Sequence, residues 1–247
     1  MNKFFRFEIK YPVDAHTTGY IEKDLLLFGM RHDNHSGSDG FYHVSSLYFD
    51  TFSFSDYYDK VGGLIARKKI RARIYEKLFG DRISKVYLEI KEKYGLAVVK
   101  KRVCLDMNNW LDLDKRGWSA LGAPQFASRE ECGIFRKILY EINSKGRRPQ
   151  IFVTYKRKPY LYEMGSNRLR VTFDKDIEAC RASSFPRNST SFSDAYSPAK
   201  AVMEVKYMNY LPPFMKRIIR KYDLRRDAVS KYALGVEAAH RYHALKR

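Results

Sequence analysis

The sequence predicts an α+β fold in which about eight mostly antiparallel strands close, or nearly close, into a barrel with a polar, basic interior, flanked and capped by helices. Three observations predict it. Five stretches, Arg6-Phe7-Glu8-Ile9-Lys10, Lys69-Ile70-Arg71-Ala72-Arg73, Leu88-Glu89-Ile90-Lys91, Arg168-Leu169-Arg170-Val171 and Glu204-Val205-Lys206, set charged residues two apart with apolar residues between them. Residues i and i+2 of a strand share a face, so each stretch has a charged side and an apolar side. The hydrophobic period changes to a helical one at Cys132, Phe135, Leu139 and Ile142. The 19 Tyr and 16 Phe favour β-structure over disorder. A closed sheet leaves no exposed edge, and its interior is polar because the regular charged positions must face somewhere together.

The elements follow in order. A strand over about residues 3–11 ends at Pro12, and Asp14 caps a helix whose Ile21, Leu25 and Phe28 fall at helical spacing before Gly29 stops it. A polar loop over 31–40 leads to a strand near 42–50 and an aromatic turn region with Tyr57 and Tyr58 that closes at Gly62-Gly63. Residues 65–76, 84–94 and 96–105 read as an antiparallel meander joined by turns at Gly80-Asp81 and Gly95. A helical insertion covers about 106–147, its amphipathic helix ending near Gly146. Strands resume at 149–162 and 167–178, turning through Gly165-Ser166-Asn167. The segment 182–198 is Ser-rich with two prolines and reads as a long mobile loop. A last strand, about 200–209, is broken by Pro212-Pro213, and two basic helices over about 212–244 cap the chain. With no internal repeat or linker, residues 1–247 read as a single domain.

The composition narrows the partner. There are 47 Lys and Arg against 28 Asp and Glu in 247 residues, a formal charge of +19, which repels itself unless an anion offsets it. Phosphates, nucleic acid or an anionic surface would do so. The charges alternate on strands rather than cluster on one helix, and no Gly-x-x-x-x-Gly-Lys loop or Gly-x-Gly-x-x-Gly turn occurs, which argues against specific nucleic-acid binding and against nucleotide folds of those types. Cys104, Cys132 and Cys180 are odd in number and lack metal-ligand spacing, so a reducing compartment is expected. No apolar run approaches the roughly 18 residues of a membrane span, and no signal segment is read at the start, so a cytoplasmic protein is expected. His32-x-x-His35 and His240-x-x-His243 read as surface residues rather than metal pairs.

Arg6-Phe7-Glu8-Ile9-Lys10-Tyr11, Lys69-Ile70-Arg71-Ala72-Arg73-Ile74-Tyr75, Leu88-Glu89-Ile90-Lys91, Tyr155-Lys156-Arg157-Lys158-Pro159-Tyr160, Arg168-Leu169-Arg170-Val171-Thr172-Phe173-Asp174, Met203-Glu204-Val205-Lys206-Tyr207 and Ser230-Lys231-Tyr232 stand in an order that resembles the VTC-type polyphosphate polymerase domains of the triphosphate tunnel metalloenzymes. The resemblance implies an eight-stranded antiparallel β-tunnel. It implies that Lys10, Arg71, Arg73, Lys91, Arg157, Arg170 and Lys206 contact phosphate oxygens in catalysis, with Lys100, Arg102, Arg168 and Lys231 as further phosphate-binding candidates. Lys100 and Arg102 are preferred to Lys101 because Val99, Val103 and Leu105 then share the apolar side. Glu204 would hold a divalent Mn²⁺ or Mg²⁺. Glu8 and Glu89 read either as further metal ligands or as ion-pair partners that orient neighbouring lysines.

Arg6 departs from the Glu-x-Glu-x-Lys that the hydrolytic members of the superfamily resemble on this strand. Fewer carboxylates leave less capacity for two metals and a hydrolytic water, which shifts the expectation from hydrolysis to transfer. Phosphoryl transfer depends mainly on positioning and on electrostatic stabilisation of equatorial oxygens. The expected reaction passes the γ-phosphate of ATP to inorganic polyphosphate, whose terminal oxygen is already anionic and needs no general base. Two other readings stay open: a tripolyphosphatase or nucleoside triphosphatase on the same fold, and a non-catalytic module that binds polyphosphate, inositol phosphates or nucleic acid.

Overall fold

The computed structural model describes residues 6–33, 37–80, 83–95, 97–118, 124, 126, 128–165, 167–189 and 192–244. His35, Asp81 and Ser166 and the first residues of the opening strand lie outside them. Strands are β1 (Arg6–Asp14), β2 (Arg31–His32), β3 (Tyr42–Asp50), β4 (Ala66–Ile74), β5 (Lys85–Tyr94), β6 (Ala97–Asp106), β7 (Arg148–Met164), β8 (Asn167–Arg181), β9 (Ser193–Asp194) and β10 (Lys200–Met208). Helices are α1 (Ala15–Leu27), α2 (Ser55–Val61), α3 (Met107–Lys115), α4 (Arg129–Ser144), α5 (Pro213–Lys221) and α6 (Lys231–Ala244). The hydrogen-bonded path β1-β10-β8-β7-β3-β4-β5-β6 has the eight strands expected, and its resolved registers are antiparallel. Off this path β2 pairs with β7 and β9 with β8.

The chain divides into two compact units. The first comprises Met1–His43, Tyr155–Ile177 and Tyr196–Ser230. In it β1, β10 and the first part of β8 pair in sequence, and β2 pairs with the later part of β7. The apolar sides of these strands, including Tyr11, Val13, Leu169, Val171, Phe173, Met203 and Val205, pack with Ile21 and Leu25 of α1 and Met215 and Ile218 of α5. Asp14 accepts from Thr17 N at 2.8 Å, capping α1 as its sequence position predicts. Alternation therefore buries one side of each strand and turns the charged side the other way.

The second unit comprises Val44–Thr154, Glu178–Ala195 and Lys231–Arg247. It contains the β3-β4-β5-β6 meander, with Leu47, Ile70, Ala72, Leu88, Ile90, Val103 and Leu105 packed against Trp110 and Leu113 of α3 and Phe135, Ile138, Leu139 and Ile142 of α4. The helix read at Cys132–Ile142 is α4, capped by Ser128 Oγ, which accepts from Glu131 N at 3.1 Å.

Three segments differ from the sequence reading. Residues 55–61, expected as an aromatic turn, form α2, because the buried Asp50 carboxylate caps it from outside, accepting from Asp56 N at 3.0 Å and Tyr57 N at 3.1 Å. The insertion also contains α3, capped by Asp106, which accepts from Asn109 N at 2.8 Å. Segment 182–198, read as a mobile loop, is anchored: Phe185 is buried against Phe79 and Trp110, and β9 pairs with β8 through Glu178 and Asp194.

Candidate functional site

The charged residues form two faces, one in each unit. In the second unit the β3-β4 register sets Tyr48 opposite Arg71 and Ser46 opposite Arg73. The β4-β5 register sets Lys69 opposite Lys91 and Arg71 opposite Glu89, and the β5-β6 register sets Lys91 opposite Lys100 and Glu89 opposite Arg102. Directly paired residues share a face. Six cations, Lys69, Arg71, Arg73, Lys91, Lys100 and Arg102, thus surround Glu89 on one side of three strands. Lys101 pairs with Ile90 and belongs to the other side, so the ladder decides between Lys100 and Lys101.

Glu89 is clamped. Arg71 Nη2 lies 2.7 Å from its Oε2 and Lys100 Nζ 2.6 Å from its Oε1, with the carboxylate only 2% exposed. Burial pushes the Glu89 carboxyl up, but Arg71, Arg73 and Lys100 outweigh it and hold it at about 2. Burial also lowers the Lys100 ammonium to about 8 despite Glu89. This is the arrangement of an ion-pair partner that orients its neighbours, the second of the two roles left open for Glu89.

Two aromatic side chains stand at the same place. Arg71 Nη1 donates to Tyr48 Oη at 3.2 Å, and Arg73 Nε donates to Ser46 Oγ at 3.2 Å. Burial raises the Tyr48 phenol, yet Arg71, Arg73 and Lys231 together bring it below its ordinary value. Lys231 opens α6 and is buried, and the next residue, Tyr232, packs its ring at a tilt on Tyr48 at 5.0 Å and donates a short hydrogen bond to Asp50 Oδ2. Asp50 therefore ties the end of β3, the start of α2 and the start of α6 together, which fixes the backbone that carries Lys231.

In the first unit the β1-β10 register sets Glu8 opposite Lys206 and Lys10 opposite Glu204. The β10-β8 register sets Lys206 opposite Arg170 and Glu204 opposite Thr172. Arg157 of β7 makes a two-point ion pair with Asp174 at 2.6 and 2.8 Å and lies 3.7 Å from Glu204. Glu204 is buried and in close contact with Lys206. Burial lowers the Lys206 ammonium and Arg157 adds to this, against the pull of Glu204 and Glu8. Arg170 is held by Tyr42 Oη at 3.2 Å and Asp33 Oδ2 at 3.5 Å. Lys10 Nζ donates to Val229 O at 3.0 Å and lies 3.6 Å from Glu8. Arg168 differs from the rest: its side chain is 73% exposed and pairs with Glu163 at 3.2 Å.

Within each unit, then, the predicted residues come together: Arg71, Arg73, Glu89, Lys91, Lys100, Arg102 and Lys231 in one, Glu8, Lys10, Arg157, Arg170, Glu204 and Lys206 in the other. Among the described residues no group of three His, Cys, Asp or Glu side chains could cage a metal. His32 instead packs on the Tyr160 ring at 4.6 Å and His240 on Phe54 at 5.2 Å. The sequence alone assigns no role to Asp174, Thr172, Tyr48 or Asp50. Parity on their strands was the available signal, since Thr172 and Asp174 alternate in phase with Arg170, and Tyr48 and Asp50 lie two apart.

Residues 5–240 match the model of the VTC domain. The chain belongs to the VTC domain family. No curated protein matches this VTC domain. Among solved structures it is similar to one from Bacillus halodurans titled "putative adenylate cyclase", at 12% identity and a TM-score of 0.49, covering 93% of this chain and 96% of that one. The span of the family match takes in both faces, from β1 to α6. Among the described residues of this VTC domain no helix is long and apolar enough to cross a membrane.

Proposed function

We propose that this VTC domain is a metal-dependent polyphosphate polymerase of the cytoplasm, transferring the γ-phosphate of ATP to a growing polyphosphate chain. The observation that supports this reading best is the basic face of β4, β5 and β6, where six cations surround one clamped carboxylate. The fixed forks of Arg71 and Arg73 suit phosphate oxygens, because a guanidinium donates two parallel hydrogen bonds in a preset geometry. Lys91, Lys100, Arg102 and Lys231 add charge around them, and Arg157, Arg170, Lys206 and Lys10 do the same on the other face. Electrostatic stabilisation of this kind is most of what phosphoryl transfer asks of a protein.

The first unit's face fits a divalent cation. Glu204 and Glu8 stand on neighbouring strands of one face, each across from a lysine. Mg²⁺ and Mn²⁺ are commonly held by one or two carboxylates plus substrate phosphates rather than by an all-protein cage. Glu204 would hold the ion, with Glu8 as second carboxylate or as the partner that orients Lys10. A bound ion would supply positive charge to offset that of a phosphate substrate. The protein's own part is to keep Lys206 beside Glu204 and to hold Arg157 in place through Asp174.

Incubation of the pure protein with ATP and Mn²⁺, followed by gel separation and a free-phosphate assay, tests the proposal. A phosphate ladder with ADP is the expected result. Free phosphate without a ladder would make the protein a triphosphatase, and no turnover would leave a binding module.

A further inference from the structure

We infer that Thr172 Oγ1 and Arg170 Nε form a preorganised pair of donors for a single phosphate group. The inference rests on the phosphate-binding part of the proposed function and extends it to a residue that none of the expected motif roles includes. Both atoms are buried, and neither has a hydrogen-bond partner among the described residues. Thr172 as a whole is 1% exposed. Buried polar atoms are almost always paired, because leaving one unmet forfeits its hydration. Two unmet atoms two residues apart on one strand are therefore a signal rather than noise.

The chemistry of the two atoms selects the ligand. A guanidinium Nε can donate but never accept, so its partner must bring an acceptor. The far end of the same guanidinium is already fixed by Tyr42 Oη and Asp33 Oδ2, which holds Nε in place. The Thr172 hydroxyl can donate as well, and its cross-strand neighbour Glu204 is engaged by Lys206 and Arg157. Lys206, across from Arg170, makes the surroundings favour a negative acceptor. Residues two apart on a strand share a face and start about 6.8 Å apart along the backbone, so both donors address the same stretch of that face. The pair thus recognises one phosphate of a triphosphate or polyphosphate, and Thr172 supplies the neutral donor.

Titration calorimetry with sodium tripolyphosphate, without metal or nucleotide, reads this directly. Thr172→Val removes the hydroxyl at nearly constant shape and should weaken binding roughly tenfold, the loss typical of a hydrogen bond to a charged group. Thr172→Ser should bind within about twofold of wild type, since it keeps the donor. The unliganded Thr172→Val protein should melt no lower than wild type, because no internal hydrogen bond is lost. Wild-type affinity in Thr172→Val, or an equal loss in the valine and serine variants, would overturn the pairing. If Arg170→Ala weakened binding while Thr172→Val did not, the phosphate reading would survive without this pair. If the wild-type protein itself ignored tripolyphosphate, both would fall together.

Discussion

The guanidinium of Arg157 meets the carboxylate of Asp174 at two points, Nε at 2.6 Å and Nη2 at 2.8 Å, and both side chains are buried. Burial lowers the affinity of the guanidinium for its proton, but Asp174 outweighs this and raises it above the ordinary value. Asp174 thereby compensates the buried charge and fixes the orientation of a residue expected to touch phosphate.

Asp174→Asn should remove about 3–5 kcal/mol of stability, because breaking one side of a buried pair leaves an uncompensated charge. Urea unfolding at neutral pH measures it. A loss below about 1 kcal/mol would mean that water or another carboxylate already shares the guanidinium.

The alternation that reveals the charged faces is local, so it is legible in the sequence: Arg71 and Arg73, Glu204 and Lys206, and Arg170 and Thr172 each fall two apart and each pair shares a face. The meander and α4 were legible for the same reason. What was not legible depends on long-range partners. Helix α2 is capped by Asp50, outside its own first turn, and no rule of neighbouring residues announces that. Segment 182–198 carries loop composition, yet Phe185 fastens it to a core formed by residues far away in sequence and β9 pairs it with β8. The parity of Asp174 matches that of Arg170, but its two-point bond to Arg157 spans two strands whose register the sequence does not state.

Glu204→Gln should abolish Mn²⁺-dependent turnover while leaving triphosphate affinity largely intact, since the amide keeps the shape but cannot neutralise a cation as a carboxylate does. Initial rates and calorimetry on the same preparation separate the two quantities. Unchanged activity would remove Glu204 from the metal site.

Two groups on the second unit's face make stability rise with pH, in two separate windows. The Glu89 carboxyl is held at about 2, below its ordinary 4.5, so its contribution to stability is fully present above pH 4.5 and is lost as pH falls through about 2. Wild type should therefore lose more stability than Glu89→Gln between pH 6 and pH 3 in urea titrations. Lys100 sits at about 8 against 10.5, so the unfolded chain binds more protons between these values and stability rises with pH there. Phosphate favours the ammonium form, so tripolyphosphate affinity should decline as pH rises through 8, and Lys100→Met should flatten that decline. Parallel curves would remove Lys100 from the binding site.

Gly235 of α6 lies against the sheet of its own unit, and a Cβ there would stand 2.7 Å from Val153 Cγ2 and 2.9 Å from Ile151 Cγ2. Both neighbours are β-branched and cannot swing aside cheaply. Overpacking costs about 1–3 kcal/mol, against which alanine's better helix propensity returns about 1 kcal/mol. Gly235→Ala should therefore destabilise by roughly 1 kcal/mol, and because Lys231 and Tyr232 open the same helix, it should also raise the KM for ATP. A stabilised variant would show that α6 can shift away from Ile151 and Val153 without strain.

Arg73 separates a built phosphate site from general basic charge. It is 7% exposed, its Nε donates to Ser46 Oγ at 3.2 Å, and that bond fixes the plane of the guanidinium. Lysine keeps the charge but has neither the plane nor the fork. Arg73→Lys should therefore lose about 2–4 kcal/mol of transition-state stabilisation, comparable to the loss of one preorganised donor. Arg225, whose side chain is 88% exposed, offers the contrast: Arg225→Ala removes a charge outright and should change little beyond salt dependence. Measuring kcat/KM for both variants across ionic strength decides between the explanations, because screening erases diffuse attraction and spares a buried, oriented contact. A deficit in Arg73→Lys that persists at high salt fits a built site. Equal losses in the two variants, both erased by salt, would mean that the +19 charge acts only as a diffuse field.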